Sequence, residues 1–129
     1  MVIKGNARGG AADLAKHLQR QDTNERVEIL GLRGVAVLDL TGALKEMDAY
    51  GVALRTTRTL YHASINVPAH ERLSPEQRMQ AIDRLEAALG LTGQPRVVVE
   101  HEKHGRGGDV RVHCHVVWSR KETEHMRAI

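Results

Sequence analysis

Aromatic side chains are nearly missing from these 129 residues: there are two Tyr, one Trp and no Phe. A protein that holds single strands by stacking bases on aromatic platforms needs more of them. Cysteine is just as scarce. Cys114 stands alone, which excludes an intrachain disulfide and a cysteine-based zinc site. A reducing, cytoplasmic compartment fits that usage. No apolar run approaches the roughly 18 residues of a membrane span. The N-terminal stretch Met1 to Gly10 has no apolar core of the kind a signal peptide carries. There is no internal repeat and no low-complexity linker.

What the chain does have is histidine. Eight His stand against three aromatics, so any chemistry here falls to imidazole. The length suits one domain of about 100–150 residues. Hydrophobic residues at 41% and charged residues at 27% make an ordinary globular balance. The net charge is +3, and 14 of the 19 basic residues are Arg, the side chain suited to bidentate phosphate contacts. Such a mild excess is compatible with nucleic acid but does not single it out.

Periodicity places the elements. Residues 2–4 read as a short strand before a turn containing Gly5, Gly9 and Gly10. Ala11, Leu14, Ala15 and Leu18 fall on one helical face over about 11–21, with His17 at its edge. Residues 26–30 and 33–38 read as short strands or loop. Asp39 caps a second helix to about Tyr50, with Leu40, Ala43, Leu44 and Met47 inward. Leu60–Val67 alternates as a strand, with His62, Ser64 and Asn66 on its polar face and Tyr61 on its core face. Ser74, Pro75 and Gln77 open a third helix, which buries Met79, Ile82, Leu85 and Leu89 and stops at Gly90. Strands follow over 96–103 and 110–118, joined by a Gly-rich turn at 105–109. A helix is expected to begin at about Glu122. Mixed helices and antiparallel strands without strict alternation make the class α+β.

The strongest chemical signal is His113-Cys114-His115. On a strand both imidazoles face one side, about 7 Å apart. Val110, Val112, Cys114, Val116 and Trp118 face the other, so Cys114 reads as a small buried hydrophobe. Glu100, His101, Glu102, Lys103 and His104 precede the turn and supply a third group across the hairpin. Three imidazoles around one ion leave positions open for water or a phosphate oxygen. A lone surface His rarely binds metal; a His-x-His faced by further His across a hairpin is a different pattern.

The order His101, hairpin, then His113-Cys114-His115-Val116-Val117-Trp118-Ser119-Arg120 resembles the three-His motif of the plasmid-mobilisation relaxases, members of the HUH endonucleases. Ala15-Lys16-His17-Leu18, followed by Asp22 to Val27, resembles the N-terminal nucleophile motif of one relaxase branch. Leu60 to Asn66 resembles the second motif strand. The likeness covers nearly the whole chain.

That resemblance implies an antiparallel sheet of about five strands with helices packed on it. It implies an enzyme that nicks one DNA strand at a plasmid transfer origin and stays attached to the 5′ phosphate, initiating conjugative mobilisation. A divalent metal, Mg²⁺ or Mn²⁺, would be held by His101, His113 and His115, with His104 the alternative third ligand. His17 stands where many relatives carry the nucleophilic Tyr; the first 49 residues contain no Tyr, which points to a histidine-nucleophile branch. A neutral imidazole is a competent nucleophile; Tyr61 is the reserve. Glu102 and Asp109 are candidates to orient a ligand from behind. Ser64, Asn66, Arg20, Arg111 and Arg120 are candidates for DNA contact, with Arg8, Lys16 and Arg106 adding phosphate attraction. Expected partners are single-stranded origin DNA, relaxosome accessory proteins and a secretion coupling protein.

Two features depart from the family. The turn between the histidines is long, which leaves the ligand register open. The chain is also shorter than usual relaxase domains, so 1–129 is expected to be a single nuclease domain that is a core or is truncated at its C-terminal end. The competing readings are a non-catalytic DNA-binding module with a structural or vestigial metal site, and a small metal-dependent hydrolase of a non-nucleic substrate.

Overall fold

The computed structural model describes residues 2–19, 26–36, 38–50, 59–67, 73–104, 110–122 and 127–128. Five strands form one antiparallel sheet: β1 (Val2–Arg8), β2 (Arg26–Arg33), β3 (Leu60–Val67), β4 (Arg96–His104) and β5 (Val110–Ser119). Their spatial order is β1-β3-β5-β4-β2. The central strand β5 is therefore flanked by β3 and β4, and its residues from Val112 to Trp118 have a neighbour on both sides. The class expected from sequence, α+β with a five-stranded antiparallel sheet, is the one observed.

Alternation along the strands sends successive side chains into two different layers. On one side, Leu60, Val97, Val99 and Val117 pack under α1 (Ala11–Leu18) and α2 (Leu40–Tyr50) through Leu14, Leu18, Leu44 and Met47. On the other, Ala63, Ile65, Val98, Cys114, Val116 and Trp118 pack under α3 (Pro75–Leu89) through Ile82, Met79, Leu85 and Leu89. Both helical stripes are those the periodicity predicts.

α3 has sharp ends for local reasons. Ser74 Oγ accepts from the Gln77 backbone N–H at 3.1 Å, and Gln77 Oε1 accepts from the Ser74 N–H at 2.9 Å. This reciprocal box satisfies two otherwise orphaned donors. Gly90 ends the helix at φ +73°, a left-handed conformation that favours glycine. α2 starts where Asp39 Oδ2 accepts from the Gly42 N–H at 2.8 Å.

Three expectations need correction. The turn assigned to Gly5 is strand: β1 runs on to Arg8, and Gly5 pairs with Ala63. The glycine is there because the Tyr61 ring lies over it; a Cβ would sit 2.7 Å from Tyr61 Oη. The ambiguous stretch from 26 is a single strand, β2, whose register shifts between Ile29 and Gly31. The bulge moves the inward side from odd to even positions, so that Val27 and Leu32 both pack toward α1 and α2. One period-2 template cannot match such a strand. Instead of a helix from Glu122, β6 (Lys121–Glu122) pairs with β7 (Arg127–Ala128).

The α3 side also holds a buried ionic network. The Glu86 carboxylate accepts from Trp118 Nε1 at 2.9 Å, Arg96 Nη1 at 3.1 Å and the Arg33 guanidinium. Arg96 also donates to Asp83 at 2.9 Å, and Arg78 donates to Glu100. Burial pushes the Glu86 carboxyl up. The bonds from Arg33 and Trp118, with the charges of Arg33 and Arg96, more than offset it and leave Glu86 below the usual glutamate range.

Candidate functional site

The α1 side of the sheet is apolar at one end and imidazole-rich at the other. Along β4 and β5 the paired positions on this side run Val97–Val117, Val99–His115, His101–His113 and Lys103–Arg111. The pairing opposes apolar to apolar, then places three imidazoles together, then puts two cations across from each other. β3 adds His62, Ser64 and Asn66 to the same side, with Ser64 opposite His115 and Asn66 opposite His113. β1 adds Lys4 opposite Ser64 and Asn6 opposite His62. Lys4, Gly5, Asn6, His62 and Ser64 line a cavity of about 150 Å³.

His115 is the centre of the cluster. Its ring centroid lies 4.5 Å from that of His101, 5.2 Å from His62 and 6.2 Å from His17. His17 is exposed on α1 and meets His115 edge-on, at 85°. The i, i+3, i+4, i+7 burial of Ala11, Leu14, Ala15 and Leu18 fixes the helix on the sheet, and that leaves His17 at the stripe's edge, above β5. His101 is buried, and its Nε2–H donates to the Leu18 carbonyl at the end of α1. His113 Nδ1 bonds to Asn66 Oδ1, and His115 Nδ1 lies 2.9 Å from His62 Nε2.

Burial disfavours the charged form of these rings. His101 is pushed below its usual range by burial and by His17, against the pull of the Leu18 carbonyl. His113 is lowered by burial, then by His101, Lys103 and Arg111. His115 is pushed down to about 3 by burial and the surrounding imidazoles. Neutral imidazoles have the lone pair that metal coordination requires, so the donor chemistry of His101, His113 and His115 fits a divalent ion. The orientation fits less closely. A neutral His101 that donates through Nε2 keeps its lone pair on Nδ1. Among the described residues, no three His, Cys, Asp or Glu side chains are arranged to hold an ion.

The other sequence candidates separate by face. Tyr61 lies on the α3 side, its ring 6.5 Å from Trp118, away from the imidazoles. Glu102, opposite Val112, projects to that side too. Cys114 is buried there, its thiol pushed up to about 12 by burial. Arg111 is exposed on the imidazole side. Arg120 is at the far end of β5, where its backbone N–H donates to the Thr59 carbonyl at 2.9 Å. His104 ends β4 opposite Val110; its side chain, like Arg8's, is outside the described residues, as are Arg20, Arg106 and Asp109. Sequence reasoning passed over Lys4, Lys103 and the contact of His62 with His115. Strand parity already put His62 on the polar face; what was missing was the knowledge that β3 pairs with β5.

A five-stranded antiparallel sheet thus presents a histidine cluster beneath an N-terminal helix. Residues 16–129 match the family model for relaxases, the MobA/VirD2-like nuclease domain. The chain belongs to that family, whose members nick DNA. The match takes in His17 and all of β2 to β5 but not β1, which the structure nevertheless pairs to β3 along its whole length. A search of curated proteins found no match. No helix among the described residues is long and apolar enough to cross a membrane.

Proposed function

We propose that residues 1–129 form a single relaxase nuclease domain that nicks one strand at a plasmid transfer origin and is left joined to the 5′ phosphate through His17. The observation that carries this reading is the edge-on approach of the exposed His17 ring to His115, within a chain of the relaxase family. His17 is the one imidazole of the cluster carried on a helix rather than a strand, and it meets the strand imidazoles at His115.

In this reading a neutral His17 nitrogen attacks phosphorus, an N–P bond forms and the P–O3′ bond breaks. The departing 3′ oxygen takes up a proton from solvent to become a hydroxyl. His101, His113 and His115 would hold a divalent cation, Mg²⁺ or Mn²⁺, which would polarise the scissile phosphate and stabilise its transition-state charge. To serve there, His101 would give up its bond to the Leu18 carbonyl. Lys103 and Arg111 lower the cost of bringing backbone phosphates to the open end of the face, and Lys4 does so at the β1 edge. Ser64 lines the cavity beside β1, in reach of a sugar or phosphate. The work is cytoplasmic, alongside relaxosome accessory proteins and a secretion coupling protein.

The His101–Leu18 bond favours one other reading, a DNA-binding module whose metal site is vestigial. Labelled single-stranded origin oligonucleotides with and without Mn²⁺ separate the two. Nicking yields a covalent adduct whose mapped peptide contains His17. The module gives salt-sensitive binding and no adduct with any metal.

A further inference from the structure

We infer that β3 is a positioning strand for the imidazoles of β5: Asn66 and His62 hold the Nδ1 atoms of His113 and His115, so that each ring keeps its lone pair on Nε2. The inference deepens the proposed metal role of these histidines and rests on that reading for its consequence, though not for its geometry.

The two contacts repeat one arrangement. β3 and β5 are hydrogen-bonded neighbours, with Asn66 directly across from His113. Asn66 Oδ1 meets His113 Nδ1. Four residues back on the same face of β3, His62 Nε2 lies 2.9 Å from His115 Nδ1, one register step from the directly opposed pair Ser64–His115. Both β5 rings therefore turn the same nitrogen, Nδ1, toward β3.

The chemistry of the partners sets the proton. An amide oxygen can only accept, so His113 Nδ1 must carry the hydrogen. A neutral imidazole has one N–H, and His113 Nε2 is then a bare acceptor. At His115 the matching arrangement is Nδ1–H donating to His62 Nε2, with His62 carrying its own hydrogen on Nδ1. Metal-binding histidines commonly donate their other ring nitrogen to a fixed acceptor, which sets both the tautomer and the ring plane. Here a single strand supplies both acceptors. Asn66 is thus a positioning residue rather than a DNA contact, and His62 does for His115 what Asn66 does for His113.

Two-bond ¹H–¹⁵N spectra of the metal-free protein, at a pH where the rings are neutral, read the tautomers directly. The expected wild-type result is Nδ1–H at both His113 and His115. Asn66→Leu should shift His113 alone toward Nε2–H, and His62→Leu should shift His115 alone. Each should weaken Mn²⁺ binding, measured by calorimetry, about 10–100-fold. Asn66→Asp, which keeps an acceptor oxygen, should restore the His113 tautomer where Asn66→Leu does not. Nε2–H at both rings in the wild type overturns the inference even if neither Leu variant folds. So do folded Leu variants whose tautomers and Mn²⁺ affinity match the wild type. Wild-type protein that shows the Nδ1–H tautomers but binds no Mn²⁺ would sink the metal reading and leave the positioning role of β3 standing.

Discussion

The two sides of the sheet place polar groups under helices in opposite ways. On the α3 side, buried charge meets opposite charge: Glu86 with Arg96 and Arg33, Glu100 with Arg78. On the α1 side, imidazoles meet imidazoles, and the cations Lys103 and Arg111 face each other across the strands. Like charges placed directly opposite each other cost stability in a sheet. The α3 side has directly opposed like charges as well, Arg33–Arg96 and Glu28–Glu100, but there a counter-charge joins them: Glu86 accepts from both arginines, and Arg78 donates to Glu100.

Substitutions that exchange the properties of the two sides test this contrast. The largest effect belongs to His17→Ala. It should lower adduct formation with single-stranded origin DNA by more than about 10³-fold. The residue is exposed, so its loss should move stability by no more than about 0.5 kcal/mol. An adduct that persists in His17→Ala removes that residue as nucleophile, and peptide mapping then identifies the true one.

Glu86→Ala should do the reverse. Removing one partner of a buried pair leaves Arg96 with only the solvent-exposed Asp83 as counter-charge, at a cost of about 3 kcal/mol. Urea unfolding should show the midpoint falling, while adduct formation by the protein that remains folded stays near wild type. The half-exposed Arg33 contributes the smaller part, since solvent screens it. If Glu86→Ala proves neutral, α3 is held by its apolar stripe alone.

The sign of the pH dependence follows from Glu86. Its folded pKa is lowered, so the ionised form adds stability at pH above the ordinary glutamate value of about 4.3. That contribution is lost as pH falls through the folded value. Glu86→Gln should therefore be less stable than wild type at neutral pH, and the gap should narrow in acid. A gap that is constant with pH means the carboxylate's charge is not what holds the network.

The smallest effect concerns Cys114. Buried, and with its thiol pushed up to about 12, it should react with iodoacetamide far more slowly in the native protein than in urea. Rapid native alkylation would show that the layer under α3 opens readily.

Much of this contrast was legible before any coordinates. The alternation of His113, Cys114 and His115 separates imidazole from core by backbone geometry alone, and the same parity puts Tyr61 on the far side from His62. Local signals sufficed where the physics is local, as at the Ser74–Gln77 box. They failed where a distant neighbour decides. Gly5 looks like a turn residue until Tyr61 is laid over it. β2 defeats a period-2 reading because its bulge exchanges the two faces midway. The short pairing of β6 with β7 replaces a helix suggested by a few residues that have no strong period of their own.

By itself, the sequence determined which residues share a face everywhere but in the bulged β2: strand alternation and helical period are properties of the regular backbone. It determined the family as well, since the order His17, the motif strand, His101 and His113-x-His115 is written in the chain. Only the tertiary structure decided who faces whom. The order β1-β3-β5-β4-β2 sets β5 between its hairpin partner β4 and the distant strand β3. That brings Asn66 and His62 to the Nδ1 atoms of His113 and His115. The packing of Leu14 and Leu18 onto the sheet then brings His17 over His115. Strand order and helix docking are settled by burial of the whole apolar surface at once, and no local stretch of sequence contains that sum.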